Sequence, residues 1–254
     1  MALTFGAATS DRVELAAGND NQNAFTVIGW FYKTADTAGR RLWDKGSGNS
    51  KTLFLQFQAA DDFGLYVTRA GADADSSSLT GAFPANQWMC IAGTYDGADG
   101  PRLFAGSLTA TVAETAYNFR IVGDGAEADD SGVAHIIGNS NALTQAFPGR
   151  IATFAHFRRR LTVQELIRWQ FQPYTDADCD IFMELGYAGT GTQPNLVSLG
   201  NGLNGTVTGA TVADHVPLAP PAARFTGFGD IWLPPIRRPR RFHRSDAVHR
   251  ASRW

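Results

Sequence analysis

Seven short runs of β-branched and aromatic residues, each closed by a cluster of small or polar turn residues, constrain this chain to antiparallel sheets. The runs are AFTVIGWFY (24–32), TLFLQFQ (52–58), FGLYVTRA (63–70), WMCIAGTY (88–95), RLFAGSL (102–108), AHIIGN (134–139) and RIATFAHF (150–157). The separators, among them KGSGNSK, YDGADGP, GDGAEADDSG and GNSN, are turn chemistry. In TLFLQFQ, Leu53, Leu55 and Phe57 oppose Gln56 and Gln58, giving one dry face and one wet face. AFTVIGWFY is apolar on both faces, which places it inside a sandwich or beneath a covering loop.

One segment breaks the period of two. In LTVQELIRWQFQP (161–173), Thr162 is placed as an N-cap and Glu165 completes a capping box. Leu166, Trp169 and Gln170 share a face, and Pro173 ends the helix. A single short helix is expected to cap one end of the β body and to build no layer of its own. CDIFMELG (179–186) and GTVTGATVA (205–213) return to β. From Pro217 the text changes: six prolines (217, 220, 221, 234, 235, 239) in 23 residues exclude a central strand and predict an extended arm.

Charge separates the same two parts. The chain has 22 Lys and Arg against 24 Asp and Glu, a net −2. Between Pro234 and Trp254 stand seven arginines and one acid, Asp246, so this stretch carries +6 and the rest −8. Such asymmetry marks an interaction tail. Its expected contact residues are Arg237, Arg238, Arg240, Arg241, Phe242, Arg244, Arg250, Arg253 and Trp254. The arginines alternate with Pro, Ile, Phe and Trp, not Ser and Gly. That pattern fits docking onto acidic protein surfaces better than nucleic-acid binding.

Several functions find no support in the residues. No apolar run is long enough to span a bilayer. MALTFGAATSDRVEL lacks the basic and apolar regions of a secretory leader. Cys90 and Cys179 read as core packing. There is no G-x-S-x-G elbow, and His135, His156, His215, His243 and His249 lack metal spacing. His156 is expected on an outer strand face. GNGLNG (200–205) matches G-x-G-x-x-G literally, but a β pattern follows it, so it reads as a tight turn.

In combination, SDRVEL (10–15), AFTVIGWFY, LWDKG (42–46), NQWMCIAGTYDG (86–97), IIGN (136–139) and FPGRIATFAHFRRRLTVQEL (147–166) resemble the laminin-G-like family of concanavalin A-like jelly rolls. The resemblance covers roughly residues 4–172. It implies an all-β, antiparallel two-sheet jelly roll over 1–215, with 216–254 as the docking arm. In many relatives the element resembling CDIFMELG…NGLNGTVTGAT precedes the first strand; here it follows the helix, as in a circular permutation. Trp30, Trp43 and Trp88 fall at family core positions, while Tyr66, Tyr117 and Phe119 are freer.

Glucanases of this fold need two carboxylates about 5–5.5 Å apart. The nearest pair, Glu127 and Asp129, lies in a Gly-rich stretch that reads as a solvated turn, so no enzyme is expected. Calcium is the one cofactor that related loops leave open, through Asp11, Asp20 and Asp96. Relatives often carry Asp after G-R-I and Asn before the helix; here Ala152 and Arg158–Arg160 stand there, which weakens such a site. A compact jelly roll with an Arg-rich end is similar to tailed-bacteriophage proteins. That likeness implies a structural virion component, a capsid decoration or tail-associated protein. Its partners would be other virion subunits, its own copies in the assembly, and cell-surface carbohydrate. A lectin-like carbohydrate-binding module is the alternative.

Overall fold

The computed structural model describes residues 1–6, 10–18, 21–46, 52–57, 61–197 and 203–216. In chain order the strands begin with β1 (Ala2–Phe5), β2 (Arg12–Ala17), β3 (Ala24–Lys33), β4 (Arg40–Gly46), β5 (Thr52–Phe57), β6 (Phe63–Val67) and β7 (Ala74–Ser78). They continue with β8 (Trp88–Asp96), β9 (Arg102–Ser107), β10 (Ala113–Glu114), β11 (Tyr117–Ile121), β12 (Ala134–Ile137) and β13 (Gly149–Phe157). After helix α1 (Val163–Phe171) come β14 (Cys179–Glu184), β15 (Gly205–Thr208) and β16 (Thr211–Ala213).

These strands make two antiparallel eight-stranded sheets, a jelly-roll sandwich. Sheet A runs β10-β9-β8-β3-β13-β1-β16, with β14 also paired to β13; sheet B runs β11-β7-β6-β5-β4-β12-β2-β15. The strands after the helix complete both sheets: β14 and β16 join sheet A, and β15 pairs with β2 in sheet B. A strand, not a helix, follows GNGLNG, which removes the dinucleotide reading.

Between the sheets lies the main core. Phe5, Phe25, Phe31, Trp43, Leu55, Phe57, Phe63, Leu65, Ile91, Tyr95, Phe147 and Phe154 are all buried there. Phe57, Phe83 and Phe147 meet edge-on or stacked at 5.9–6.4 Å between ring centroids. Each such side chain contributes about 1.5–3 kcal/mol by leaving water. Gly149 shows why the F-P-G-R-I stretch carries glycine: a Cβ there would sit 2.1 Å from the Tyr32 carbonyl oxygen.

The helix is where the sequence predicts it, with the Thr162–Glu165 capping box formed and Leu166, Trp169 and Gln170 buried. Its position is different. It does not cap an end of the sandwich; it packs a second core against the outer face of sheet A. That core contains Ile28, Trp30, Cys90, Ala92, Ala152, Ala155, Leu166 and Trp169. Trp30 Nε1 donates to the Gln170 carbonyl at 3.1 Å. Gln170 itself is fully buried; its Nε2 donates to Ser107 O and Ala110 O, and its Oε1 accepts from Val112 N. This second layer explains the two apolar faces of β3: Phe25, Val27 and Phe31 enter the main core, Ile28 and Trp30 the outer one.

His156 also differs from expectation. It lies inside the sandwich, stacked on Phe25 at 5.8 Å, with Nδ1 and Asp180 Oδ1 2.7 Å apart. The cause is a register shift in β13 between Ile151 and Phe154. A bulge reverses the alternation, so Phe154 and His156 point inward after Ile151 does.

Candidate ligand-binding cleft

Strand β4 places the candidate site. Trp43 faces the main core, yet its neighbours three apart, Arg41 and Asp44, share the opposite face. Simple alternation forbids that spacing. The register shift between Arg41 and Trp43 in the β4–β5 ladder permits it. Both side chains thus reach the outer face of sheet B, away from α1.

There they line a cleft of about 170 Å³ with Gly46, Ser140, Asn141, Thr144 and Gln145. The far wall is the 139–146 loop. It is held by Asn139, whose Oδ1 accepts from Ser140 N (2.8 Å) and Gln145 N (3.1 Å) and whose Nδ2 donates to Asp11 O (3.1 Å). Gly138 starts the loop at φ +80°, and a Cβ there would meet the Phe5 ring at 2.5 Å. Only glycine meets both demands.

Arg41 is fixed on three sides. Its Nε donates to Gln145 Oε1 at 2.8 Å and lies 3.4 Å from Asp44 Oδ2. Its guanidinium sits 3.1 Å over the Phe54 ring, which in turn stacks on Tyr66 at 4.9 Å and 10°. Arg41 and Asp44 are 9% and 3% exposed. Burial pushes the Asp44 carboxyl up to about 6, opposed by the Arg41 guanidinium and by backbone N–H groups of Gly46 and Asn141. Burial also draws Arg41 down to about 10, with Asp44 opposing. Despite these contacts, Arg41 Nη1 and Asp44 Oδ1 have no hydrogen-bond partner among the described residues. Buried polar atoms of this kind are costly unless something satisfies them.

The expected site residues fall elsewhere. Glu127 lines a second, wider cleft with Asn23, Arg69 and Asp96. It accepts from Tyr95 OH at 2.6 Å and lies 3.9 Å from Arg69 Nε. Asp129 accepts from Ser131 N in its own loop and from Asn21 Nδ2, which precedes β3. The two carboxylates therefore have different hydrogen-bond partners. Asp11 accepts from Gly6 N and Asp96 from Ala98 N, each a local turn bond; Asp20 lies outside the described residues. Among the described residues no group of three or more His, Cys, Asp or Glu side chains is placed to hold a metal. Tyr66 is bonded to Asp73 and Tyr117 to Glu114 and Leu103 N, whereas Phe119 is exposed. Trp30, Trp43 and Trp88 are core residues, as expected. The arm residues Arg237 to Trp254 lie outside the described residues.

A buried polar group also sits beneath sheet B. Trp43 Nε1 donates to His135 Nδ1 at 3.2 Å, so the His135 proton is on Nε2, facing Gly18 O at 3.1 Å. Burial first, then electrostatic interaction with His156 and Lys45, holds this imidazole well below its ordinary value. Lys45 and Asp130 form an adjacent ion pair at 2.5 Å, both nearly inaccessible.

A family model for laminin G-type domains, described as Concanavalin A-like lectin/glucanases superfamily, matches residues 7–167. The chain belongs to that superfamily. The strands that complete its lectin/glucanase sandwich, β14 to β16, lie beyond the matched stretch. Its fold is similar to that of a Bacteroides ovatus protein provisionally described as carbohydrate binding, with a TM-score of 0.51 and 14% identity. That likeness covers 81% of this chain and 60% of the other. Mouse laminin α1 domains LG4-5 align at a TM-score of 0.48 and 13% identity, over 78% of this chain and 48% of the other. A heptameric SAP-like pentraxin from Limulus polyphemus aligns at 0.46 and 12%, over 66% and 80%. No curated protein matches the chain. No helix among the described residues is long and apolar enough to cross a membrane.

Proposed function

We propose that this chain is a non-enzymatic carbohydrate-binding module whose ligand enters the Arg41–Asp44 cleft. The observation that carries the reading is the pair of buried atoms without partners, a donor at Arg41 Nη1 and an acceptor at Asp44 Oδ1. A sugar hydroxyl both accepts and donates, so it can satisfy both. Asn141, Ser140, Thr144 and Gln145 supply further polar groups at the rim. The superfamily match and the described role of the Bacteroides ovatus protein support the same reading. The engagement of Glu127 by Tyr95 and of Asp129 by Ser131 and Asn21 supports a binding role without turnover. A glycan array followed by calorimetry tests it: the chain should bind glycan saturably. Arg41→Ala should weaken binding about 10–100-fold, the effect of losing a charged hydrogen bond. Silence across the array would refute it.

A second reading rests on the charge division alone. The +6 of residues 234–254 against −8 elsewhere supports docking of the arm onto a large assembly such as a virion. Deleting 234–254 should then abolish incorporation while leaving the sandwich folded. Full occupancy by the truncated chain would exclude this role.

A further inference from the structure

Resting on the carbohydrate reading above, we infer that the Arg41–Asp44 pair makes the cleft selective for uncharged sugars and excludes carboxylate-bearing ones such as uronic and sialic acids. Among the described residues lining the cleft, Arg41 and Asp44 alone carry charge, and the charges are opposite. They cannot separate to admit a charged guest. Gln145 holds Arg41 Nε from one side, Phe54 lies under the guanidinium, and Asp44 stands 3.4 Å from it.

The two atoms left over are one donor, on Arg41, and one acceptor, on Asp44, from two side chains that line the same cleft. A hydroxyl, or two neighbouring hydroxyls, takes the Nη1 hydrogen and gives its own to Oδ1. A ligand carboxylate could accept from Nη1 but would face Oδ1 with like charge and no proton between them. An ammonium group would meet the converse problem at Arg41. Both penalties grow in a site whose groups are this buried, because the attraction a charged ligand gains at one residue is cancelled at the other. Selectivity here comes from a repulsive element built beside the attractive one. The elevated Asp44 value of about 6 adds a consequence. Below that pH the carboxyl is neutral, Arg41 is uncompensated, and rejection of anionic sugars weakens.

The test compares matched glycans, neutral oligosaccharides against their uronic-acid counterparts and lactose against sialyllactose, by calorimetry on the full chain at pH 7.5. The wild type should favour the neutral member at least about tenfold, as like-charge juxtaposition requires. Asp44→Asn should erase that preference and raise affinity for the carboxylate sugars by at least about tenfold, with a melting curve to confirm folding. Should the variant not fold, the wild type at pH 5 takes its place, and the preference should shrink there. A wild type that favours carboxylate sugars overturns the inference. So does a preference unchanged by both Asp44→Asn and low pH. Neutral-glycan binding that survives Arg41→Ala at full strength would move the site elsewhere, leaving carbohydrate binding standing and this inference refuted. If no glycan of either kind binds, the carbohydrate reading falls and takes the inference with it.

Discussion

Replacing Gln170 by leucine should remove much of the attachment between the helix and sheet A. The two side chains have similar volume, so the apolar contacts of the outer core largely survive. What is lost is a set of three short hydrogen bonds, to Ser107 O at 2.7 Å, to Ala110 O at 2.8 Å and from Val112 N at 2.7 Å. Ala110 O keeps a second donor in Ser107 N. Val112 N–H is left buried without its acceptor, and Ser107 O loses this donor. At about 1–3 kcal/mol for each such group, the loss should be about 4 kcal/mol. For a chain of this length that corresponds to a fall in Tm on the order of 10 °C. Urea unfolding followed by tryptophan fluorescence would read it directly, since Trp30 and Trp169 both sit in the affected core. A loss below about 1 kcal/mol would show that these bonds do not hold the helix in place, and the outer core would have to be described differently. Glycan affinity in the folded variant should be unchanged, because the cleft opens on the other sheet.

Three further outcomes follow from the geometry. The Asp44 carboxyl is raised from 3.8 to about 6 in the folded chain. The folded state therefore keeps a proton that the unfolded state releases between those values, so stability should fall as pH rises from about 4 to about 6 and then level off, by an amount on the order of 3 kcal/mol. Urea midpoints across that range should show the slope, and Asp44→Asn should remove its share. Gly138→Ala, strained by its positive φ and by the Phe5 ring, should cost about 2 kcal/mol or more and weaken glycan binding by displacing the 139–146 loop; an unaltered melting curve would contradict this. Asp130→Ala strips a buried partner from Lys45 and an acceptor from Asn21 N, and should destabilise by about 3–5 kcal/mol in chemical denaturation.

Much of the fold can be read directly from residue patterns, because the signals are local. Alternation and turn residues mark β3, β5, β6, β8, β9, β12 and β13, and a capping box marks α1 to within a residue. β7, with the sequence ADSSS, shows no such pattern. It is a strand because β6 and β11 offer their backbone groups on either side. The candidate site was less legible. LWDKG stood out as part of a family-like stretch, but nothing in it says that Arg41 and Asp44 would meet on one face.

Residue order alone determined the class of this protein: two-sided strands, one capped helix, and a cationic final stretch after a net acidic remainder. Tertiary structure alone decided where chemistry could occur. Bulges in β4 and β13 reverse a period-two pattern, sending Arg41 and Asp44 together to the outer surface and His156 to the interior. A bulge is a property of the ladder between two strands, so no single strand's sequence announces it. The helix likewise shows its apolar face in sequence, but which surface it covers depends on what sheet A leaves exposed.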